Sequence, residues 1–224
     1  WNYLYTGDRE FLAQRAYPVM RSAAEFFVSY LEKDEQGSYY LYPSNAHETF
    51  WQVKNPATDL AAIRYLFPAL IEAGKILNTD ADFRAVLADR LRHLAPYPLD
   101  PKTGGIAPYA AAPGEKISQQ NAENPSLFPV GVFPLITLGS PEHELGLKTF
   151  RARPFVNAYG WTTDSICAAR LGLAEAGQGG LEKLLVAHAE AYQDHPSGLM
   201  DYYGRKPAIH PYLEGSGTLA TALG

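Results

Sequence analysis

The chain has 224 residues, of which 46% are hydrophobic and 19% are charged, a composition typical of a globular protein and unlike that of a disordered one. A formal net charge of -5 without a long basic run argues against nucleic acid as a partner, and no apolar run reaches the roughly 18 residues that a membrane-spanning helix needs. The single cysteine, Cys167, excludes an internal disulfide and cysteine-based zinc-finger or redox motifs.

The first predicted element is a helix from Asp8 to Lys33. Its apolar residues recur at spacings of three and four and so form one face: Leu12, Ala16, Val19, Ala23, Phe26 and Tyr30. Pro18 is expected to bend or split this helix near Tyr17, because proline has no amide hydrogen to donate. The alternating segment "SYYLY" that follows is compatible with a short strand.

Two further helices are predicted, from Thr58 to Leu77 and from Asp80 to Ala95. Thr58 or Asp59 is expected to cap the first of them, and Pro68 is expected to kink it. A loop rich in proline, glycine and alanine then covers residues 96–124 without periodicity. Loops of this length in compact domains are usually functional or mobile.

Helical patterns resume in the second half of the chain, over residues 127–138, 141–151, 159–173, 180–192 and 215–224. The pattern predicts an all-α fold, with one domain over residues 1–224 and with short connections alternating with long ones. Antiparallel helix hairpins packed side by side can close into a ring, which is one all-α solution among several. In such a ring the long loops share one face, and function is expected there.

The segment "PSNAHETFWQV", residues 43–53, places Glu48 among aromatic side chains. A general acid must hold its proton near neutral pH, and apolar neighbours raise a carboxyl pKa by disfavouring the charged form. Phe50 and Trp51 can supply such surroundings, and Trp51 can also face a sugar ring. The alternative is a solvated loop glutamate that caps the following helix.

Glu214 is the second candidate acid, directly before "GSG" at the start of a helical pattern. A carboxylate at a helix N-terminus interacts favourably with the helix dipole, which lowers its pKa. Capping alone accounts for such a residue, but a low pKa is also what a base needs. Two carboxylates in different environments are typical of glycoside hydrolysis.

The remaining polar and aromatic candidates carry a weaker signal. His47, His195 and His210 lack the spacing of a metal site, so no metal is predicted. Aromatic rings with polar handles suit the faces of sugars, although they also fill gaps between helices and loops. Those in or near the loops are Tyr39, Tyr40, Tyr42, Trp51, Tyr109, Tyr202, Tyr203 and Tyr212.

Several motifs in chain order resemble the catalytic domain of glycoside hydrolase family 95, which contains inverting 1,2-α-L-fucosidases and related α-L-galactosidases. "LYTGDREFLAQRAYPVMRSAAEF" is similar to that family's "LYTGD.EFL…YP.MK.AAEF", and "NPATDLAAIRYLF" to its "P.MD..IIR.LF". "YPSNAHETF" resembles the "PS.SPEN" loop, whose glutamate is the general acid, so this role falls on Glu48. In "HPYLEGSGTLATALG", Glu214 stands where the family has an aspartate that assists the base.

Two departures from the family pattern bear on the sugar. "AENPSLFPVGVFPL" resembles "HRH.SHLY.LYPG", but Asn124 and Leu127 replace the family's histidines. Glutamate in place of aspartate at position 214 moves a carboxylate by about 1.5 Å, which matters for positioning a base. The resemblance therefore leaves an α-L-fucoside, an α-L-galactoside or another exo-cleaved sugar open.

The resemblance implies a six-hairpin (α/α) toroid that performs exo-acting hydrolysis with inversion on a glycan, with no metal or organic cofactor. In the family, an asparagine of an upstream "N.NYWPAE" stretch activates the water. The chain is thus expected to be the C-terminal part of a catalytic domain, completed by the missing N-terminal part, and family habit implies a periplasmic or secreted location. Trp51, Trp161 and Tyr212 are expected to shape the pocket, and Asn45, His47 and His210 to bind hydroxyls.

Two other readings stay open on this resemblance. One is a different (α/α)-toroid glycosidase, of rhamnosidase-like or phosphorylase-like specificity, which a retained product anomer or a phosphate requirement would favour. The other is a catalytically inactive carbohydrate-binding toroid, which glycan binding without hydrolysis would favour.

Overall fold

The structure is a computed structural model that describes residues 1–112, 121–156 and 163–173, together with positions 186, 200–201, 211–212, 217–218 and 220–222. Its α-helices are α1 (Asn2–Thr6), α2 (Arg9–Phe11), α3 (Tyr17–Tyr30), α4 (Ala57–Leu77), α5 (Ala81–Arg92), α6 (Phe128–Gly131), α7 (His143–Ala152) and α8 (Asp164–Arg170). Within the described ranges, no helix combines the length and the hydropathy needed to cross a bilayer.

Short antiparallel strand pairs lie in the connections between the helices. Strand β1 (Glu32–Lys33) pairs with β2 (Tyr39–Tyr40), β3 (Ser44–Ala46) with β4 (Phe50–Val53), and β5 (Met200–Asp201) with β6 (Pro211–Tyr212). The short strand with which "SYYLY" is compatible is thus present as β2. The β3–β4 pair, in contrast, lies in a segment for which the sequence predicts only a loop.

The first long helix is divided where the sequence predicts it. A π-helical segment, Leu12–Ala16, joins α2 to α3, and the amide of Tyr17 bonds to the carbonyl of Leu12. Pro18 lies in the first turn of α3. Because proline has no N–H, it cannot donate the backbone hydrogen bond that would continue a regular α-helix at this point. The helix ends before Lys33 because the residues after Leu31 pair with β2 instead.

Helix α4 begins differently from the prediction. Pro56 occupies the N-cap position and no side chain caps the helix, so capping by Thr58 or Asp59 is wrong. Thr58 is buried, and Asp59 accepts a hydrogen bond from Ser44. Pro68 lies inside the helix, as the sequence places it.

The helix predicted over residues 127–138 is also wrong, because only a 3₁₀ turn, Pro125–Leu127, and the short α6 form there. Pro134 cannot donate a backbone hydrogen bond, and the following chain folds back so that the amide of Ile136 bonds to the carbonyl of Pro129. Helix α7 is confirmed close to its predicted bounds, and α8 lies within the pattern of residues 159–173. The pattern of residues 180–192 falls almost wholly outside the described residues, and that of 215–224 is helical where described.

Helix α4 packs against both α3 and α5, and the contacts at the two ends of these helices show that they alternate in direction. Three residues, 78–80, join α4 to α5, and Asp80 there contacts Tyr17 and Arg21 near the start of α3. The connection 31–56 and residues 93–112 of the connection after α5 leave from the opposite end and bond to each other, for example through Tyr39 and Ala95. For these three helices, the described parts of the long connections thus lie at one end, whereas the ring itself stays a prediction.

Two apolar clusters form the core of the described chain. The first lies between α3, α4 and α5 and includes Leu60, Ile63, Phe67, Leu70 and Leu87. The second joins α6, α7 and α8 and includes Leu127, Val130, Ile136, Phe150, Cys167 and Leu171. Tyr97, in the long connection after α5, packs against both clusters, so this connection is part of the packed structure.

Candidate functional site

The hairpin formed by β3 and β4 carries most of the candidate residues that the structure describes. Its tip consists of residues 47–49, and His47 adopts a left-handed backbone conformation there with φ 65°. Glu48 is exposed at the tip, and its carboxylate makes no hydrogen bond or ion pair with any described residue. Because α4 starts at Ala57 with Pro56 as its N-cap, Glu48 does not cap that helix.

The hairpin is anchored on its buried side. Phe50 is 6% exposed and packs with Ala46 and Tyr109 in a small apolar cluster. The side-chain oxygen of Asn45 accepts a hydrogen bond from the amide of Gln52 at 3.0 Å, which closes the hairpin across its two strands. Phe50 therefore packs into this cluster, whereas Trp51 is 66% exposed. Because Glu48 is itself exposed, the apolar surroundings that the sequence predicts for it are not formed by the described residues.

A groove of about 820 Å³ lies beside strand β4. Four aromatic side chains that the sequence indicates as possible sugar contacts line it together, namely Tyr40, Tyr42, Trp51 and Tyr109. The ammonium of Lys54 lies 4.2 Å from the centre of the Tyr40 ring on the wall of this groove. Flat rings with polar edges and one cationic donor form a surface that suits a carbohydrate.

Tyr39 has a different role from its neighbours in the "SYYLY" segment. It is 6% exposed, its hydroxyl bonds to Asp89 at 3.2 Å, and Arg90 lies over its ring. The ring therefore fills the space between α5 and the long connections, which is the packing role that the sequence analysis leaves open for the loop aromatics.

Beneath the start of β3 lies a shielded carboxylate, that of Asp59. The hydroxyl of Ser44 donates to it at 2.5 Å. Burial raises the pKa of Asp59 above its usual range, and the hydrogen bond from Ser44 opposes this effect only in part. The sequence analysis considers Asp59 only as a helix cap and so misses this contact, because Ser44 and Asp59 meet only in the folded chain.

Residues 121–123 contact the two residues of the hairpin tip that flank Glu48. The imidazole Nε2 of His47 lies 2.7 Å from a carboxylate oxygen of Glu123. Asn121 bonds both to Thr49 at 2.7 Å and to the other ring nitrogen of His47 at 3.2 Å. Sequence reasoning misses Asn121 and Glu123 because neither has a distinctive local pattern; their only signal is that Glu123 lies in the segment that resembles "HRH.SHLY".

Comparison with known proteins shows the family to which the chain belongs. The family model of the Glycosyl hydrolase family 95 catalytic domain matches residues 1–127, which is 127 of the 224 residues and so more than half of the chain. The chain belongs to glycosyl hydrolase family 95. The matched region contains the whole β3–β4 hairpin, the groove and residues 121–123.

Two relatives show partial similarity to this family 95 chain. A stretch of 90 residues is 29% identical to Alpha-L-fucosidase 2 of Arabidopsis thaliana, which covers 36% of this chain and 11% of that protein. A stretch of 37 residues is 43% identical to Kojibiose hydrolase of Flavobacterium johnsoniae, which covers 16% of this chain and 5% of that protein. The matches thus span about a tenth and a twentieth of these two relatives.

Residues 124 and 127, at which the motif resemblance leads us to expect histidines, are buried in this family 95 chain. Asn124 is 2% exposed and donates to the carbonyl of Phe155 at 2.8 Å. Leu127 is fully buried in the second apolar cluster. Asn124 also lies 3.5 Å from Asp164, whose carboxylate forms a buried ion pair with Arg153 at 2.7 Å. Both replacements therefore serve packing in this chain.

Other predicted site residues of this family 95 chain lie outside the described residues, namely Glu214, Trp161 and His210. Tyr212 belongs to strand β6, where it pairs with Met200. Among the described residues, no three His, Cys, Asp or Glu side chains are grouped so that they can hold a metal ion. The part of the site that the structure describes is thus the hairpin with Asn45, His47, Glu48 and Trp51, the groove beside it, and residues 121–123.

Proposed function

We propose that the chain is part of an exo-acting, inverting glycoside hydrolase that uses Glu48 as its general acid. The observation that carries this proposal is the position of Glu48, exposed at the tip of an anchored hairpin whose strand β4 presents Trp51 to an aromatic groove. Membership of the family 95 catalytic domain supports it. The proposed substrates are glycans with terminal α-L-fucosyl or α-L-galactosyl residues, hydrolysed outside the cytoplasm.

The proposed reaction uses two carboxyl groups in opposite roles. Glu48 gives its proton to the glycosidic oxygen as the bond from that oxygen to the anomeric carbon breaks. Glu214 orients a water and takes up its proton, through an asparagine, as the water oxygen bonds to the anomeric carbon from the opposite face. Such pairs are about 6.5 to 9.5 Å apart, which leaves room for the water and inverts the anomeric centre.

The proposed fold around this site is a six-hairpin (α/α) toroid. The antiparallel order of α3, α4 and α5 supports it, because successive helices of this kind can close into a ring. The shared face of the long connections supports it as well, since the hairpin with Glu48 and the groove both lie in those connections.

The proposed sugar contacts divide between rings and hydrogen-bonding groups. Trp51 is exposed on the groove and suits stacking on a sugar face, with Trp161 and Tyr212 as further walls. Asn45 and His210 are proposed to bind hydroxyls. Asn45 can do so through its amide nitrogen, because its oxygen is already bonded to Gln52. His47 is not proposed for this role, because both of its ring nitrogens are already bonded, to Asn121 and to Glu123.

The first test is Glu48→Gln in the whole protein, assayed on phenyl α-L-fucoside. Because glutamine cannot donate the proton that the poor leaving group needs, turnover is expected to fall by about 10²- to 10⁴-fold. Glu35→Gln, an exposed residue of the β1–β2 turn, is the matched control and should keep wild-type turnover. NMR of the first-formed sugar should show the inverted anomer.

Two results would contradict this assignment. Near-normal turnover by the Glu48→Gln variant would remove Glu48 from the reaction, and a retained product anomer would remove the inverting mechanism. Glycan binding by the wild-type protein without any hydrolysis would instead support a carbohydrate-binding role.

Kojibiose is a second candidate substrate. The short stretch that is 43% identical to Kojibiose hydrolase favours it. The wild-type protein should be assayed in parallel on phenyl α-L-fucoside, an α-L-galactoside and kojibiose. Hydrolysis of kojibiose alone would change the proposed sugar but leave the role of Glu48 to be tested with the same Glu48→Gln variant.

A further inference from the structure

We propose that Asn121 and Glu123 act as positioning residues that hold the two neighbours of Glu48 and so fix the direction of its carboxyl group. This inference rests on the proposed function of Glu48 as a general acid. Its structural basis is that residues 47 and 49, one on each side of Glu48, are both bonded to the segment 121–123.

Asn121 makes the central contacts of this arrangement. It is only 9% exposed, and its amide nitrogen donates to the Thr49 hydroxyl at 2.7 Å and to Nδ1 of His47 at 3.2 Å. Its oxygen accepts from the amide of Glu123 at 2.8 Å. Both amide hydrogens and the oxygen are thus used, so the side chain has one orientation in which all its hydrogen bonds are satisfied.

The contact between His47 and Glu123 completes the arrangement. Because Nδ1 of His47 accepts a hydrogen bond from Asn121, the ring hydrogen lies on Nε2. That nitrogen donates to the Glu123 carboxylate at 2.7 Å, and the ring of Phe128 packs edge-on against the imidazole with 5.6 Å between the ring centres. The imidazole is therefore held by hydrogen bonds at both nitrogens and by the contact with the Phe128 ring.

A tip that protrudes into solvent needs such contacts if it is to present an acid in one direction. Glu48 itself has no partner among the described residues, and Thr49 is exposed, so the tip has little packing of its own. Misplacing a reacting group by about 1 Å can cost roughly 10²-fold in rate.

The decisive experiment measures how turnover depends on the leaving group. The whole protein is assayed on para-nitrophenyl and phenyl α-L-fucoside. The para-nitrophenolate leaving group departs without much help from a general acid, whereas the phenolate must receive a proton from the acid as it leaves. Thr49→Val keeps the side-chain shape but removes the oxygen that Asn121 bonds to. For this variant, kcat on the phenyl substrate is expected to fall about 10-fold further than kcat on the para-nitrophenyl substrate.

The control variants separate positioning from folding. Thr49→Ser retains the hydroxyl and is expected to restore the wild-type ratio of the two kcat values, whereas Asn121→Ala and Glu123→Ala are expected to change it as Thr49→Val does. Equal losses on both substrates, or a change in KM alone, would overturn the positioning role. Because Thr49 is exposed, its variants are expected to fold normally, and circular dichroism checks this.

Glu48→Gln, measured on the same two substrates, tells failure of this inference from failure of the proposed function. If Glu48→Gln shows the leaving-group effect and Thr49→Val does not, the inference is wrong and the acid role stands. The two aryl glycosides are those of the sugar that the wild-type protein hydrolyses. If Glu48→Gln shows no leaving-group effect on them, or if the wild-type protein hydrolyses no glycoside, the proposed function is wrong and the inference falls with it.

Discussion

At the scale of single residues, Asp59 shows how the fold changes the chemistry of one carboxyl group. It lies beneath the start of β3, with the Ser44 hydroxyl bonded to it. Since burial raises its pKa from the ordinary 3.8, the folded state binds a proton at Asp59 more tightly than the unfolded chain does. The stability that this proton contributes is fully present below pH 3.8 and is lost as the pH rises through the raised pKa.

Asp59→Asn should therefore gain stability relative to the wild type as the pH rises. Asparagine cannot ionise, and its side-chain oxygen can still accept from Ser44. Urea denaturation of both proteins at a series of pH values, from below pH 3.8 to neutral, measures the difference in the free energy of unfolding. Asp82→Asn, which alters an exposed aspartate of α5, is the control, and a difference independent of pH for Asp59→Asn would contradict the argument.

At the scale of elements, the contact between α6 and α8 depends on Gly131. A Cβ atom at this position would lie 2.3 Å from the Thr163 hydroxyl oxygen and 2.8 Å from the sulfur of Cys167. Arg170 of α8 also donates to the carbonyls of Val130 and Gly131, at 2.7 and 2.8 Å. The two helices are thus close because residue 131 has no side chain.

Gly131→Ala is expected to destabilise the protein by about 1 to 3 kcal/mol, the usual range for overpacking a buried contact. Thermal and urea denaturation provide the measurement. The double variant with Thr163→Ala removes the nearest atom, so its loss should be smaller than the sum of the two single losses. Additive losses would show that the Thr163 hydroxyl is not the source of the strain and would assign it to the Cβ of residue 163 and the Cys167 sulfur, which lie 2.6 and 2.8 Å away.

At the scale of the whole molecule, Tyr97 connects the two apolar clusters of the described chain. It packs against both, and the guanidinium of Arg64 lies 4.6 Å from the centre of its ring. Burial raises the pKa of its hydroxyl to about 12, so the group is neutral near pH 7. Among the described residues that hydroxyl has no hydrogen-bond partner.

Tyr97→Phe is therefore expected to keep full stability or to gain up to about 1 kcal/mol, because it removes a buried polar atom that has no partner. Tyr97→Ala removes the ring as well and should cost about 3 kcal/mol. Urea denaturation of the three proteins gives both differences. A loss of about 1 kcal/mol or more for Tyr97→Phe would mean that the hydroxyl has a partner and would contradict this account.

The sequence predicts well those features that depend on neighbouring residues. The apolar spacing of three and four is a local property, so α3, α4, α5 and α7 form near their predicted bounds, and Pro18 marks the division of the first helix. Prediction is wrong over residues 127–138, because helical apolar spacing also occurs in a chain that folds back on itself around prolines. The β3–β4 hairpin is missed because strands of three and four residues are stabilised mainly by the core beneath them.

By itself, the sequence determined the helical character of the chain and its family, and it indicated Glu48 as the acid, which stays a prediction. Only the tertiary structure decided which distant side chains meet: Asn121 with Thr49, Ser44 with Asp59, and the four aromatic residues of the groove. It also decided that Asn124 and Leu127 are buried. The physical reason is that helix periodicity arises from residues three and four apart, whereas these contacts join segments that only the packing of the whole domain brings together.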